Sequence, residues 1–189
     1  MGLIKNSLEE ARLTMEKFVH DPATEESIEK TAYLISDALQ KGGKVITCGN
    51  GGSLCDATHF AEELTGRFRN DRRPLPAIAI NDPAHITCVA NDYGFADIFS
   101  NYVKALGTEN DVLIGFSTSG DSENVVKAAV TAREKGMKVI AMTRKGDNRL
   151  SQLADVIISV DHEKFSDRIQ EMHILSVHVV IECVEQLLQ

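Results

Sequence analysis

Val45-Ile46-Thr47-Cys48-Gly49-Asn50-Gly51-Gly52-Ser53 is a short apolar run that breaks into three glycines and a serine, with a helix starting near Ser53. A buried strand of a parallel sheet reads as such a run, and a strand that turns directly into a helix is the opening half of a βαβ unit. Four more apolar runs follow it. With the first taken as Lys44–Cys48, they lie at Pro76–Ile80, Asp111–Phe116, Lys138–Met142 and Val156–Val160, each separated by a segment long enough for a crossover helix. This alternation predicts an α/β fold, with five parallel strands flanked by helices in a doubly wound arrangement.

Two helices precede the first strand. Ile4, Leu8, Ala11, Met15, Phe18 and Val19 recur at helical steps, and a second helix after Asp21-Pro22 carries Ile28, Ala32, Leu34, Ile35 and Leu39 before Gly42-Gly43 stops it. The chain closes on a long segment, Arg168 to Leu188, without Gly or Pro and dense in Ile, Leu and Val, which reads as a mostly buried helix. The apolar faces at both ends exceed what one five-stranded sheet covers, so a helix-mediated homo-oligomer is expected.

At 189 residues the chain suits one domain, and 43% hydrophobic content supports a real core. A net charge of −8 opposes binding to a nucleic-acid backbone, which needs cations to displace counterions. One phosphate held by backbone N–H groups is still compatible with that charge. Cys48, Cys55, Cys88 and Cys183 form no C-x-x-C pair or tight cluster, and the sequence shows neither a signal-peptide core nor an apolar run of membrane-spanning length. A soluble cytoplasmic protein without nucleic-acid or membrane partners is the expectation.

In an open α/β sheet, ligands sit beyond the carboxyl ends of the strands. Two strand-end loops have unusual chemistry. In Gly49-Asn50-Gly51-Gly52-Ser53 the glycines allow close approach of the backbone to a ligand, while Asn50 and Ser53 offer donors; a tight turn capped by Ser53 would look the same. In Ser117-Thr118-Ser119-Gly120-Asp121-Ser122, four hydroxyls and a glycine stand at a helix start, where a capping turn needs only one hydroxyl; the remainder suits an anion.

His59 and Glu63, at i and i+4 on the helix after the glycine loop, share a face and suit either a metal site, a base with its orienting partner, or a surface ion pair. Cys55, one turn earlier, is a further candidate ligand or a small buried residue. On the closing helix Gln170 and His178 share a stripe, while His173 faces elsewhere. A histidine in so apolar a helix needs a partner to be charged.

Cys48–Ser53 together with Ser117-Thr118-Ser119-Gly120-x-Ser122 resembles the sugar isomerase (SIS) domain. His59-Phe60-Ala61-Glu62-Glu63-Leu64-Thr65-Gly66-Arg67, Asn91-Asp92-Tyr93-Gly94-Phe95 and Arg168-Ile169-Gln170-Glu171-x-His173 narrow the resemblance to the phosphoheptose isomerase family, over nearly the whole chain. It implies a single SIS domain over residues 1–189, with residues 1–42 used in packing and oligomerisation, and a homotetramer with active sites at subunit interfaces. It implies one zinc ion per subunit bound by His59, Glu63, Gln170 and His178, with Glu63 and His178 as the acid/base pair. Asn50, Gly51, Gly52, Ser53, Glu63, Asn91, Asp92, Ser117, Thr118, Ser119, Ser122 and Gln170 are the implied substrate contacts.

The implied reaction interconverts sedoheptulose 7-phosphate and D-glycero-D-manno-heptose 7-phosphate through an enediolate, the first step toward the heptose of bacterial lipopolysaccharide core. Such a reaction needs a base at carbon and an acid at oxygen, and no redox cofactor. Asp92, Asp167 and Arg67 are further polar candidates beside the matched motifs. The competing expectation is a non-catalytic SIS module, a phosphosugar sensor or a replication-initiation adaptor, which has no chemical reason to keep Glu63 and His178.

Overall fold

The computed structural model describes residues 2–162 and 164–188. Strands β1 (Val45–Gly49), β2 (Ala77–Ala79), β3 (Val112–Phe116), β4 (Lys138–Arg144) and β5 (Val156–Val160) form one parallel sheet in the order β2-β1-β3-β4-β5. The helices are α1 (Gly2–His20), α2 (Pro22–Gln40), α3 (Gly52–Thr65), α4 (Pro83–Asp92), α5 (Ile98–Leu106), α6 (Glu123–Glu134) and α7 (Ser166–Leu187). Among the described residues no helix is long and apolar enough to cross a membrane.

The strands β1 and β3 are buried along their whole length because helices cover both faces of the sheet. Val112, Ile114 and Phe116 join the core cluster containing Ile35, Phe60 and Val180 from α2, α3 and α7. Their neighbour Leu113 joins the cluster containing Val103 and Val125 from α5 and α6. This alternation along one strand is the doubly wound fold expected from the sequence. The segment between β2 and β3 is richer than a single crossover helix, for it holds α4, a 3-10 turn at Phe95–Asp97 and α5.

Local chemistry explains the boundaries. Asp21 caps α2 by accepting from the N–H of Ala23, with Pro22 in the first turn. Gly42, at φ 79°, turns the chain out of α2, and a side chain at Gly43 would strike the carbonyl of Asn110 at 2.0 Å. The amino ends of β1 and β3 are tied by Asp111, whose buried carboxylate accepts from the N–H of Lys44 (2.8 Å), Lys44 Nζ (2.6 Å) and the N–H of Thr108 (2.7 Å). Burial works to raise its pKa, and these donors outweigh burial, holding it below the usual carboxylate range.

His173 lies fully buried between α7 and β4, edge-on to Phe116, with Nε2 3.5 Å from the carbonyl of Thr143 and Nδ1 without a partner. It is a core residue outside the His59, Glu63 and His178 group, turned about 140° around α7 from His178 but only about 60° from Gln170, so burial in the core and not helical angle alone separates it from Gln170. Burial pushes its pKa down to about 4, with the Thr143 carbonyl pulling weakly the other way. Because the folded pKa lies below the unfolded one, the unfolded chain binds more protons between about pH 6.5 and 4, and stability is lost as pH falls through that window. The expected loss reaches about 3 kcal/mol at the acid end. Urea unfolding at pH 7.5 and pH 5 checks it: His173→Gln should unfold with a smaller pH dependence than the native chain, and identical slopes would contradict the assignment.

Candidate active site

The strand order places the reversal of winding between β1 and β3, the position where open α/β sheets bind ligands. The loops after these two strands are the two singled out by sequence. After β1, Gly51 takes φ 56°, and α3 begins at Gly52 with Gly51 as its N-cap. Ser53 therefore lies inside the helix and is buried, so the alternative of a Ser53-capped turn is not what forms. A side chain at Gly52 would collide with the Gln170 amide, whose atoms lie 2.7 Å from the position of such a Cβ. Glycine here is what lets α7 bring Gln170 down on the loop.

After β3, the hydroxyls organise one another. Ser117 Oγ, buried, donates to Ser122 Oγ at 3.0 Å, lies 3.4 Å from Ser119 Oγ and accepts from the N–H of Gly120. Gly120 has φ 75°, and a Cβ there would overlap Asn148 at 2.1 Å. Ser122 occupies the N-cap of α6 without using its side chain as a cap, and Thr118 and Ser119 remain accessible to a ligand.

The two loops are joined by a residue that sequence reasoning missed. Asn124, buried in the first turn of α6, exchanges two hydrogen bonds with Asn50 (2.9 and 2.8 Å), and its Oδ1 also accepts from the N–H of Val125. The pairing fixes the orientation of Asn50 and ties the glycine loop to the serine loop. Asn124 lies two residues past Ser122, yet nothing in the linear pattern names its partner.

The second half of the site lies on α3 and α7. His59 Nε2 is 3.1 Å from His178 Nε2 and 3.2 Å from Glu63 Oε1, and one ligand atom from each of the three residues lies within 4.8 Å of the other two. All three are half-buried. Phe68 stacks on the His178 ring at 5.9 Å between centroids, and Glu62 reaches to 3.8 Å from His59 Nδ1. Ligand atoms around a tetrahedral zinc at its usual bond lengths stand roughly 3.3 Å apart, so this spacing and the N,N,O donor set fit such an ion. Cys55 is exposed and stands outside the group, neither a ligand in it nor a buried residue.

Gln170 shares the α7 stripe with His178, but two turns of helix, roughly 12 Å, separate their backbones. Its amide lies beside Gly52, at the loop end of α3, 2.7 Å from where a Cβ at that glycine would stand. Asn91 and Asp92 stand exposed at the end of α4, where the Asn91 amide donates to Asp92. Arg67 is exposed, and Asp167 is exposed beside Arg168. Asp56, one turn before His59, is buried with Oδ2 unpartnered; burial raises its pKa to about 6 and His59 opposes the shift.

The SIS domain pattern matches residues 8–144. A phosphoheptose isomerase from Escherichia fergusonii is 54% identical over 184 residues, covering 97% of this chain and 96% of that protein. The chain belongs to the phosphoheptose isomerase family. Family membership makes it an isomerase, and the fold agrees. The phosphoheptose isomerase structure from Francisella tularensis superposes with a TM-score of 0.92 at 38% identity, covering 98% of this chain and 97% of that one. That from Neisseria gonorrhoeae gives 0.90 at 36%, covering 98% of each. This chain thus presents the paired loops and the His59, Glu63 and His178 group on a fold shared with phosphoheptose isomerases.

The Asn50–Asn124 pair yields a test. Removing the buried Asn124 amide breaks both hydrogen bonds to the half-buried Asn50, a cost of about 1–3 kcal/mol. Asn124→Ala should destabilise the protein by that amount in urea unfolding, and Asn50→Ala added to it should cost much less than it does alone. Strict additivity would show that the two amides do not act as a unit.

Proposed function

We propose that this chain interconverts sedoheptulose 7-phosphate and D-glycero-D-manno-heptose 7-phosphate in the bacterial cytoplasm, at the entry to heptose supply for the lipopolysaccharide core. What carries the proposal is the meeting of Glu63 and His178, from two different helices, on the Nε2 of His59, in a chain of this family.

A ketose and an aldose differ by a hydrogen moved between C1 and C2, which needs a base at carbon and a proton donor at oxygen. Glu63 takes the proton from one carbon and returns it to the other across an enediolate. His178 presents Nε2 to His59, which leaves Nδ1 as the nitrogen that can carry a proton to the sugar oxygen. Phe68 holds the plane of that ring. The hydroxyls of Ser117, Thr118, Ser119 and Ser122, with the backbone of residues 50–53, bind the phosphate, while Asn91, Asp92 and Gln170 bind the sugar chain. Binding energy from the remote phosphate aligns the reacting carbons over Glu63.

His59, Glu63 and His178 would hold a zinc ion, with Gln170 as the fourth ligand. Zinc bound there would supply Lewis-acid stabilisation of negative charge on the sugar oxygens.

A homotetramer with interfacial active sites belongs to the same proposal. Leu3, Ile4, Leu8, Met15 and Val19 leave an apolar stripe of α1 exposed. Beside it a groove of about 750 Å³ runs between α1, α2 and α7, lined by Ile28, Tyr33, Val179 and Leu187 among others. Both features suit helices of neighbouring copies.

With zinc-loaded protein and sedoheptulose 7-phosphate in D₂O, NMR should show the aldose appearing with solvent deuterium at C2. Glu63→Gln should slow this by about 10²–10⁴-fold. A folded, metal-loaded protein that binds the sugar phosphate without turnover would instead favour a sensor or adaptor. Gln170→Ala should weaken zinc binding in a chelator competition as well as raise KM; unchanged zinc affinity would restrict Gln170 to the sugar. Mixed oligomers of Ser119→Ala and His178→Ala chains should recover activity, and complete failure to do so would refute sites shared between subunits.

A further inference from the structure

Glu63 stands in the last turn of α3, two residues before the helix ends at Thr65. Helix ends fray because their final carbonyls lack partners, and a carboxylate that must hold a fixed place needs that turn stopped from outside. Gly66 provides little, since its N–H returns only to the carbonyl of Glu62. The stop comes from the loop beyond. Arg72 Nη2 donates to the carbonyl of Glu63 itself at 2.8 Å, and Nη1 donates to the carbonyls of Leu64 at 2.9 Å and Gly66 at 3.2 Å. A guanidinium at this end also meets the negative pole of the helix.

Arg72 is held in turn by α7. Its Nε donates to Glu185 Oε1 at 2.7 Å, and the side chains of the pair are only 13% and 3% exposed. Glu185 lies two turns beyond His178, on nearly the same face of α7. One guanidinium therefore bonds the backbone of the residue carrying the base and, through Glu185, the helix carrying the second imidazole. A buried ion pair is a poor source of net stability, since apolar residues of similar size often serve as well or better. Its planar fork and short reach instead fix geometry.

The geometry points to Arg72 and Glu185 as positioning residues for the active site: a clamp that sets the last turn of α3 against α7 and so the approach of Glu63 and His59 to His178. This rests on the metal and acid/base reading of that group. Neither residue touches the reacting atoms, so the effect should appear in metal affinity and in kcat rather than in capture of the phosphate, which the loops after β1 and β3 perform.

The test uses the full-length protein, with zinc affinity by chelator competition and kcat and KM for sedoheptulose 7-phosphate, each well below the melting temperature of the variant. Arg72→Lys, which keeps the charge and loses the fork, and Glu185→Gln, which keeps an acceptor and loses the charge, should each lower zinc affinity and kcat by about 10- to 100-fold with little change in KM. The double variant Arg72→Met with Glu185→Leu leaves no buried charge unpaired; it should regain thermal stability relative to Arg72→Met alone while zinc affinity and kcat stay low. Recovery of all three together would reduce the pair to a structural role and overturn the proposal, as would folded Arg72→Lys and Glu185→Gln proteins with native zinc affinity and kcat. A native protein that binds no zinc would overturn the metal reading and the clamp with it, whereas an active, zinc-binding native protein with unaffected variants overturns the clamp alone.

Discussion

β1 and β3 pair in parallel register from Val45 and Val112 to Gly49 and Phe116, so both strands end at the same level of the sheet. From there the chain departs to opposite sides: α3 packs with the cluster containing Phe60, and α6 with the cluster containing Val125 and Ala129. A crevice opens wherever adjacent strands part in this way, and backbone donors of two helix starts border it. Every candidate phosphate contact on the two loops follows from that single adjacency. The Lys44–Asp111 tie at the other end of the same strands holds the register from which the loops are launched.

The half of the candidate site on α3 and α7 depends on a second packing decision. α7 runs alongside α3 so that Gln170 meets Gly52 while His178 meets His59, a contact between residues 119 apart in sequence. Small residues make this possible at one end, since any side chain at Gly52 would occupy the space of the Gln170 amide. At the other end Phe68 stacks on His178, and the Arg72–Glu185 ion pair does the joining. The helix pair thereby links the glycine loop after β1 to the His59, Glu63 and His178 group.

Much of the architecture was legible in the sequence because a parallel strand covered on both faces must be apolar throughout, and four of the five runs became strands of five residues or more. β2 shrank to Ala77–Ala79 because it is an edge strand, half-buried and paired on one side only, where Pro76 cannot donate to a ladder. The helix start moved from Ser53 to Gly52 because Gly51 adopts a positive φ that frees the next residue to begin the helix. In the site, i and i+4 spacing placed His59 beside Glu63, and the eight-residue step placed Gln170 and His178 on one stripe. Asn124, Phe68, Arg72 and Glu185 carried no such signal, since each acts through a partner distant in the chain.

Fold class, the two glycine- and serine-rich strand-end loops and the family were all legible along the chain, because periodicity, glycine placement and clustered hydroxyls are local properties. Which polar groups meet was settled by packing. The contacts of His59 with His178, of Asn50 with Asn124 and of Arg72 with both the end of α3 and Glu185 arise from how helices settle on a twisted sheet. Side-chain reach is a few ångströms, and no spacing along the chain encodes which residues of two separate helices will come within it.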